Sequence, residues 1–193
     1  MRDMNEPNES NATAPANPAP TPPQNPKRRR WLRWGIELLI FIVAIAGIRA
    51  YLQRDVIRGA APAIAATTLD GTRFELGAGG GRPTLVHFWA SWCPVCRAEE
   101  GNIENIARDY RVIAVAMQSG DANEVRAHVQ KQDWQVPVIV DTDGTLARQY
   151  GVRGVPTSFV VDARGNIRTV EVGYTTEWGL RLRLWWAGRS KPD

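Results

Sequence analysis

The chain of 193 residues has only two cysteines, two histidines and three methionines. So few cysteines exclude a small disulfide-stapled scaffold, which needs several bridges at wide spacing. His87 and His128 supply no second Cys/His pair at the short spacing of a structural zinc site. Lysines and arginines outnumber acids by only 24 to 20, and their first block, Lys27 to Arg33, abuts an apolar run rather than lying along a folded surface, so nucleic acid is not an expected partner. No internal repeat is present. Asn5 to Pro26 lacks any large apolar residue. Such a stretch cannot offset its ordering entropy by burial and is expected to be disordered.

Against these absences stands one continuous apolar run, Leu38 to Ile48, edged by Glu37 and Arg49 and preceded by Lys27, Arg28, Arg29, Arg30 and Arg33. Trp34 through Leu52 is just long enough to span a bilayer at ~1.5 Å rise per residue. Trp31, Trp34 and Tyr51 suit the two interfaces, and the positive charge before the run holds that side in the cytoplasm. A cleaved signal peptide is the competing reading, since Ala44-Ile45-Ala46 resembles a cleavage site. Both readings put the following domain outside the cytoplasm, where disulfide chemistry operates. The expected organisation is a disordered cytoplasmic tail with a basic flank over 1–30, a transmembrane anchor over 31–52, a linker over 53–60 and one folded domain over 61–193.

Within that domain, Asp70-Gly71 between Thr67–Leu69 and Arg73–Leu76 signals a hairpin. Thr84 to Trp89 and Arg111 to Ala116 are apolar runs suited to buried strands. Pro94 to Tyr110 reads as a helix with Ile103, Ile106, Ala107 and Tyr110 on one side, and Asp121 to Gln132 as a second, capped by Asp121 or Asn123. Val136 to Val140 is a further strand. Thr157–Val161 and Ile167–Val172 pair as a hairpin across Ala163–Asn166, and Thr176 to Ala187 closes the chain as a helix. The order predicts an α/β domain with a mixed central sheet, mostly parallel with an antiparallel edge, and helices on both faces.

The chemistry lies in Trp89-Ala90-Ser91-Trp92-Cys93-Pro94-Val95-Cys96, between a buried strand and a helix. A bridge between these cysteines closes a tiny loop and contributes little as a structural staple. Disulfide exchange instead needs an accessible, easily formed thiolate. Cys93 at a helix N-terminus meets that need, because the helix dipole and unpaired N–H groups favour negative charge. Pro94 fits the first turn, where its missing N–H costs nothing. Cys93 is therefore expected to attack and Cys96, one turn inward, to resolve. No dissociable cofactor is required, since the dithiol carries two electrons. The alternative is capture of copper or another soft metal by the same pair, and a third reading is a scaffold with an idle dithiol.

The segment Leu85 to Arg97 resembles the active site of thioredoxin-fold proteins, in particular the membrane-anchored TlpA/DsbE-like group. Gly151-Val152-Arg153-Gly154-Val155-Pro156-Thr157 resembles that fold's cis-proline loop. Ala116–Gly120 and Gly173–Thr176 further resemble the ScsD type, linked by name to suppression of copper sensitivity. The resemblance covers about Ala61 to Ala187. It implies a thioredoxin-like fold and a protein-disulfide oxidoreductase in the inner membrane with a periplasmic domain. It also implies protein thiols or disulfides as substrates and a membrane electron donor or acceptor that often keeps such proteins reduced. It gives Pro156 a cis bond that presents Val155 as an edge for an extended peptide, with Trp92, Pro94, Val95 and Thr157 around it.

Thioredoxins carry a buried acid where this chain has His87, and some relatives carry one where it has Thr157. The proton acceptor for the resolving thiol is thus open. His87 and Glu99 are candidates, with Glu100 beside them. The bland readings are a packed His87 and dipole-stabilising glutamates. His128 is expected to be solvated, Trp89 to be as much core as site, and Trp185 and Trp186 to be packing residues or to lie near the membrane with Arg181 and Arg183.

Overall fold

The computed structural model describes residues 26–53, 57–77 and 81–189. Of the tail expected over 1–30, residues 1–25 lie outside these, and residues 26–30 are a correction: they are helical rather than disordered. The chain divides into two units, 1–42 and 43–193, and helix α1 (Pro26–Gln53) begins in one and ends in the other. Along α1, Leu38 to Val43 are 53–63% exposed. Among the described residues no helix is long and apolar enough to cross a membrane. The span expected over 31–52 includes residues 32, 33, 49, 50 and 52, whose side chains are not among those described.

The folded domain runs β1 (Gly59–Ala60), β2 (Ile64–Thr67), β3 (Arg73–Leu76), β4 (Thr84–Trp89), α2 (Pro94–Ala107), β5 (Arg111–Met117) and α3 (Ala122–Lys131). It continues through β6 (Val138–Asp141), α4 (Thr145–Gln149), β7 (Thr157–Val161), β8 (Asn166–Val172) and α5 (Glu177–Arg189). Its main sheet has the order β1-β8-β7-β4-β5-β6, and β2 and β3 form a separate hairpin. β4 pairs in parallel with β5, and β5 with β6; β7 and β8 run antiparallel to their neighbours. This is a thioredoxin-like α/β fold with a mixed central sheet flanked by helices.

Every residue of β4 is buried, as its uninterrupted apolar sequence requires of a strand covered on both faces. On one face Leu85, Trp89, Ala114 and Val160 meet Ile103 and Ile106 of α2, Val125 of α3, and Leu180 and Leu184 of α5. On the other, Val86, Phe88, Ile113 and Phe159 meet Ile64 and Phe74 of the hairpin and Ala147 beside Tyr150. The Phe88, Tyr150 and Phe159 rings pack at centroid distances of 5.0–5.6 Å, mostly edge to face.

α3 starts where expected: Asp121 accepts from Asn123 and Glu124 N–H, and Glu124 returns a bond to the Asp121 N–H. The sheet is not mostly parallel as expected, since β1–β8, β8–β7 and β7–β4 are all antiparallel, and two elements also depart from the sequence reading. Gly59 and Ala60, assigned there to the linker, pair with Ile167 and Asn166. The turn after β6 continues into α4, which has Gly144 at its N-cap and no side-chain cap from that residue.

Candidate active site

The buried strand β4 ends at Trp89, and the chain turns through Ala90 to Trp92 into α2. The Cys93 N–H closes this turn on the Ala90 carbonyl at 3.1 Å. Cys93 is the N-cap of α2, extended at φ −90°, ψ 112°, with Pro94 in the first turn. Its Sγ accepts the Cys96 N–H at 3.2 Å, so an N–H that the helix leaves unpaired points at the sulfur. A negative sulfur gains most from that donor and from the dipole behind it. Cys93 and Cys96 are joined as a disulfide.

Cys93 is 4% exposed and Cys96 1%. Cys93 is thus less open than the accessible thiolate expected of it, and the Val155–Pro156 peptide lies beside it. The Val155–Pro156 peptide is cis, and the Val155 carbonyl oxygen lies 3.7 Å from Cys93 Sγ. Thr157, the first residue of β7, pairs with Phe88 at the end of β4 and donates its hydroxyl to Gly154 O at 2.7 Å. The Gly173 N–H holds the Pro156 carbonyl at 2.8 Å. An approach remains at the rim, where Pro94 is exposed, Trp92 is 59% exposed and Val95 45%. Trp92, Cys93, Pro94, Val95, Cys96, Val155, Pro156 and Thr157 are therefore brought to one place.

The loop after β5, singled out in the sequence only as a family resemblance over Ala116–Gly120 and given no place at the site, fixes this rim. The Trp92 indole Nε1–H donates to Gln118 O at 3.0 Å, and Ser119 Oγ accepts the Ser91 N–H at 3.0 Å. Gln118 sits at φ +46°, a left-handed conformation unusual for a side chain of its kind. The signal was Gly120 after two polar residues, a turn that says nothing of what its carbonyls bind.

The two candidate proton acceptors lie in different settings. By the alternation of β4, His87 shares a face with Leu85 and Trp89. It is 1% exposed, and its Nδ1 lies 2.9 Å from Ser158 Oγ, directly across on β7. Burial drives its pKa down to about 3, so the ring is neutral and a poor proton acceptor at neutral pH. Glu99 is three residues beyond Cys96 on α2, hence on the same face, and both are buried. Burial raises its carboxyl to about 7, opposed by a bond from the Thr175 N–H to Oε1 at 3.2 Å. Among the described residues Glu99 Oε2 has no hydrogen-bond partner.

Glu100 points elsewhere, with Oε1 3.4 Å from His128 Nε2. The expectation of a solvated His128 is corrected: its side chain is 14% exposed and its ring lies 5.3 Å from that of Trp89. Trp89 is core, edge to face with Trp134. Trp185 and Trp186 are not packing residues, being 46% and 58% exposed. Among the described residues no three His, Cys, Asp or Glu side chains converge as metal ligands.

The chain is similar to several known proteins over its folded domain. A thioredoxin-like protein of Haemophilus influenzae is 30% identical over 158 residues, 81% of this chain and 94% of that protein. The thiol:disulfide interchange protein DsbE of Allochromatium vinosum is 38% identical over 95 residues, 48% of this chain and 52% of that one. The crystal structure of a thioredoxin-family thiol:disulfide interchange protein from Chlorobium tepidum superposes with a TM-score of 0.59 at 28% identity, over 69% of this chain and 98% of the other. The AhpC/TSA family model matches residues 57–170, which take in the cysteine pair, His87, Glu99 and the cis-proline loop. On that span and on the fold it encodes, the chain belongs to the AhpC/TSA family.

Proposed function

We propose that this protein is a thiol–disulfide oxidoreductase that reduces disulfides of other proteins outside the cytoplasm. The observation that carries the reading is Cys93 Sγ at the N-cap of α2, taking the Cys96 N–H while lying beside the Val155 carbonyl. In the reduced state the Cys93 thiolate attacks one sulfur of a substrate disulfide. The other substrate sulfur leaves with the electron pair and takes up a proton. Glu99, ionised in part near neutral pH, accepts the Cys96 proton. The Cys96 thiolate then attacks Cys93 Sγ and the mixed disulfide breaks. The second substrate thiol departs and the Cys93–Cys96 disulfide remains, two electrons poorer. A dithiol donor at the membrane resets it.

The exposed apolar side chains from Leu38 to Val43 favour α1 as the anchor. The finer kinship with the ScsD type rests on Ala116–Gly120 and Gly173–Thr176, and repair of copper-oxidised thiols would be its use. The Cys93–Cys96 reduction potential tests the direction. A value near −270 mV supports a reductant and one near −120 mV overturns it.

A further inference from the structure

The C-terminal helix buries Leu180, Leu184 and Ala187, yet leaves Leu182, Trp185 and Trp186 64%, 46% and 58% exposed. The Arg189 guanidinium lies 3.7 Å from the centroid of the Trp185 ring. Gly188 packs beside Pro83, where an added Cβ would stand 3.3 Å from the proline ring. The end of α5 therefore sits at the start of β4, whereas Cys93 follows the other end of that strand. Exposed Arg82 and Arg108, with Arg111, line a groove at the same pole. The neighbouring acids are already engaged, Asp109 with Arg181 and Glu75 with Arg73, each at 2.7 Å. The chain also enters the domain here. Gly59 and Ala60 pair with Ile167 and Asn166 beside the β7–β8 turn, and antiparallel β7 sets Val161 opposite Thr84.

We infer that this pole docks on an anionic lipid surface through Trp185, Trp186 and the arginines around them, and so holds the Cys93 rim away from the bilayer. Tryptophan rings beside arginines suit the headgroup layer, where one part of the ring is apolar and the other wet. Basic side chains near such a surface are drawn to it within a Debye length. A second copy of the chain is disfavoured as occupant, since two basic poles repel. The inference rests on the reading of α1 as an anchor. Residues 54–58 are the whole link between α1 and β1, so the entry point lies within about 20 Å of the end of α1. Trp178 is 81% exposed at the opposite end of α5, some 10–12 Å up the helix axis from the other two, and stays in water.

The test uses the full chain on vesicles of phosphatidylcholine with or without phosphatidylglycerol. Flotation reports association, and iodide quenching reports the emission lost in W185F/W186F and, separately, in W178F. On vesicles with phosphatidylglycerol the Trp185/Trp186 component is expected to be shielded several-fold from iodide, and high salt is expected to reverse this; the Trp178 component is expected to stay accessible throughout. A chain that floats on both vesicles with Trp185 and Trp186 still open to iodide keeps the anchor and overturns the docking. A chain that floats only with phosphatidylglycerol keeps the docking and overturns the anchor. Shielding without vesicles that grows with protein concentration assigns the face to a second copy and overturns the inference. The R82Q/R108Q/R189Q variant, checked by its unfolding curve, is expected to lose the shielding while still floating.

Discussion

Thr175 donates its backbone N–H to Glu99 Oε1 across 3.2 Å, linking the loop before α5 to the helix turn beneath Cys96. One bond does not offset the burial of the carboxyl, whose pKa stands near 7 against an ordinary 4.5. Between those values the fold keeps the proton and the unfolded chain has lost it, so stability falls as pH rises from about 4.5 to about 7, by at most about 3 kcal/mol. Glu99→Gln keeps the shape without the charge and is expected to abolish that slope in urea unfolding. His87 gives the opposite slope. Its pKa is lowered to about 3 from 6.5, so stability is lost as pH falls through that range, and this loss persists in the Gln variant.

The same substitution is expected to act on chemistry. If Glu99 takes the Cys96 proton, Glu99→Gln slows release of the mixed disulfide by about tenfold or more and removes an ionisation near pH 7 from its rate profile. Initial attack by Cys93 is expected to keep its rate. Stopped-flow measurement of the two steps separates them, and an unchanged second step would return the role to water.

The division of labour between the sulfurs has its own test. Cys96→Ser is expected to accumulate a mixed disulfide with a model substrate, while Cys93→Ser forms none. In the reduced wild-type protein, alkylation at mildly acidic pH is expected to reach Cys93 first, because its neighbours Trp92 and Val95 are open to solvent and Cys96 is 1% exposed. Mass spectrometry of the alkylated peptides reads the order, and faster modification of Cys96 reverses the assignment.

Asp141 at the end of β6 accepts the Leu146 N–H at 3.0 Å and the Ala147 N–H at 2.9 Å. It caps α4 from outside the helix. Asp141→Ala is expected to cost about 1–2 kcal/mol in denaturant unfolding without changing the reduction potential. This cap also shows where the sequence was legible. β4 and α2 announced themselves, one by an unbroken apolar run, the other by a Cys-Pro start. α3 carried its own capping box. α4 spans only Thr145 to Gln149, and its capping acid looked like a turn residue, so no local pattern marked it. At the site, residues within one segment were readable, whereas Gln118, Ser119 and Thr175 reach it through backbone groups or a hydroxyl that any residue pattern leaves unmarked. His128 was misread because its helix is polar; its partners Trp89 and Glu100 come from other elements. Trp185 and Trp186 follow a weak amphipathic pattern in which only Leu180, Leu184 and Ala187 face inward.

Trp92, next to Cys93 in the chain, is 59% exposed and its Nε1–H is held by the Gln118 carbonyl at 3.0 Å. An exposed ring costs stability little to remove, so its fixed pose points to substrate contact rather than to packing. Trp92→Phe keeps an aromatic surface but loses the tether, and Trp92→Ala loses both. The expected order is therefore a modest rise in KM for Phe and a larger one, about tenfold, for Ala, which corresponds to about 1.4 kcal/mol of lost contact. Neither variant is expected to move the reduction potential by much, since Cys93 keeps its N–H donor from Cys96. Kinetics with a protein disulfide and with a small disulfide distinguish the outcomes. A loss confined to the protein substrate supports a platform for a polypeptide chain. An equal loss with both substrates assigns Trp92 to shaping the cysteine turn instead.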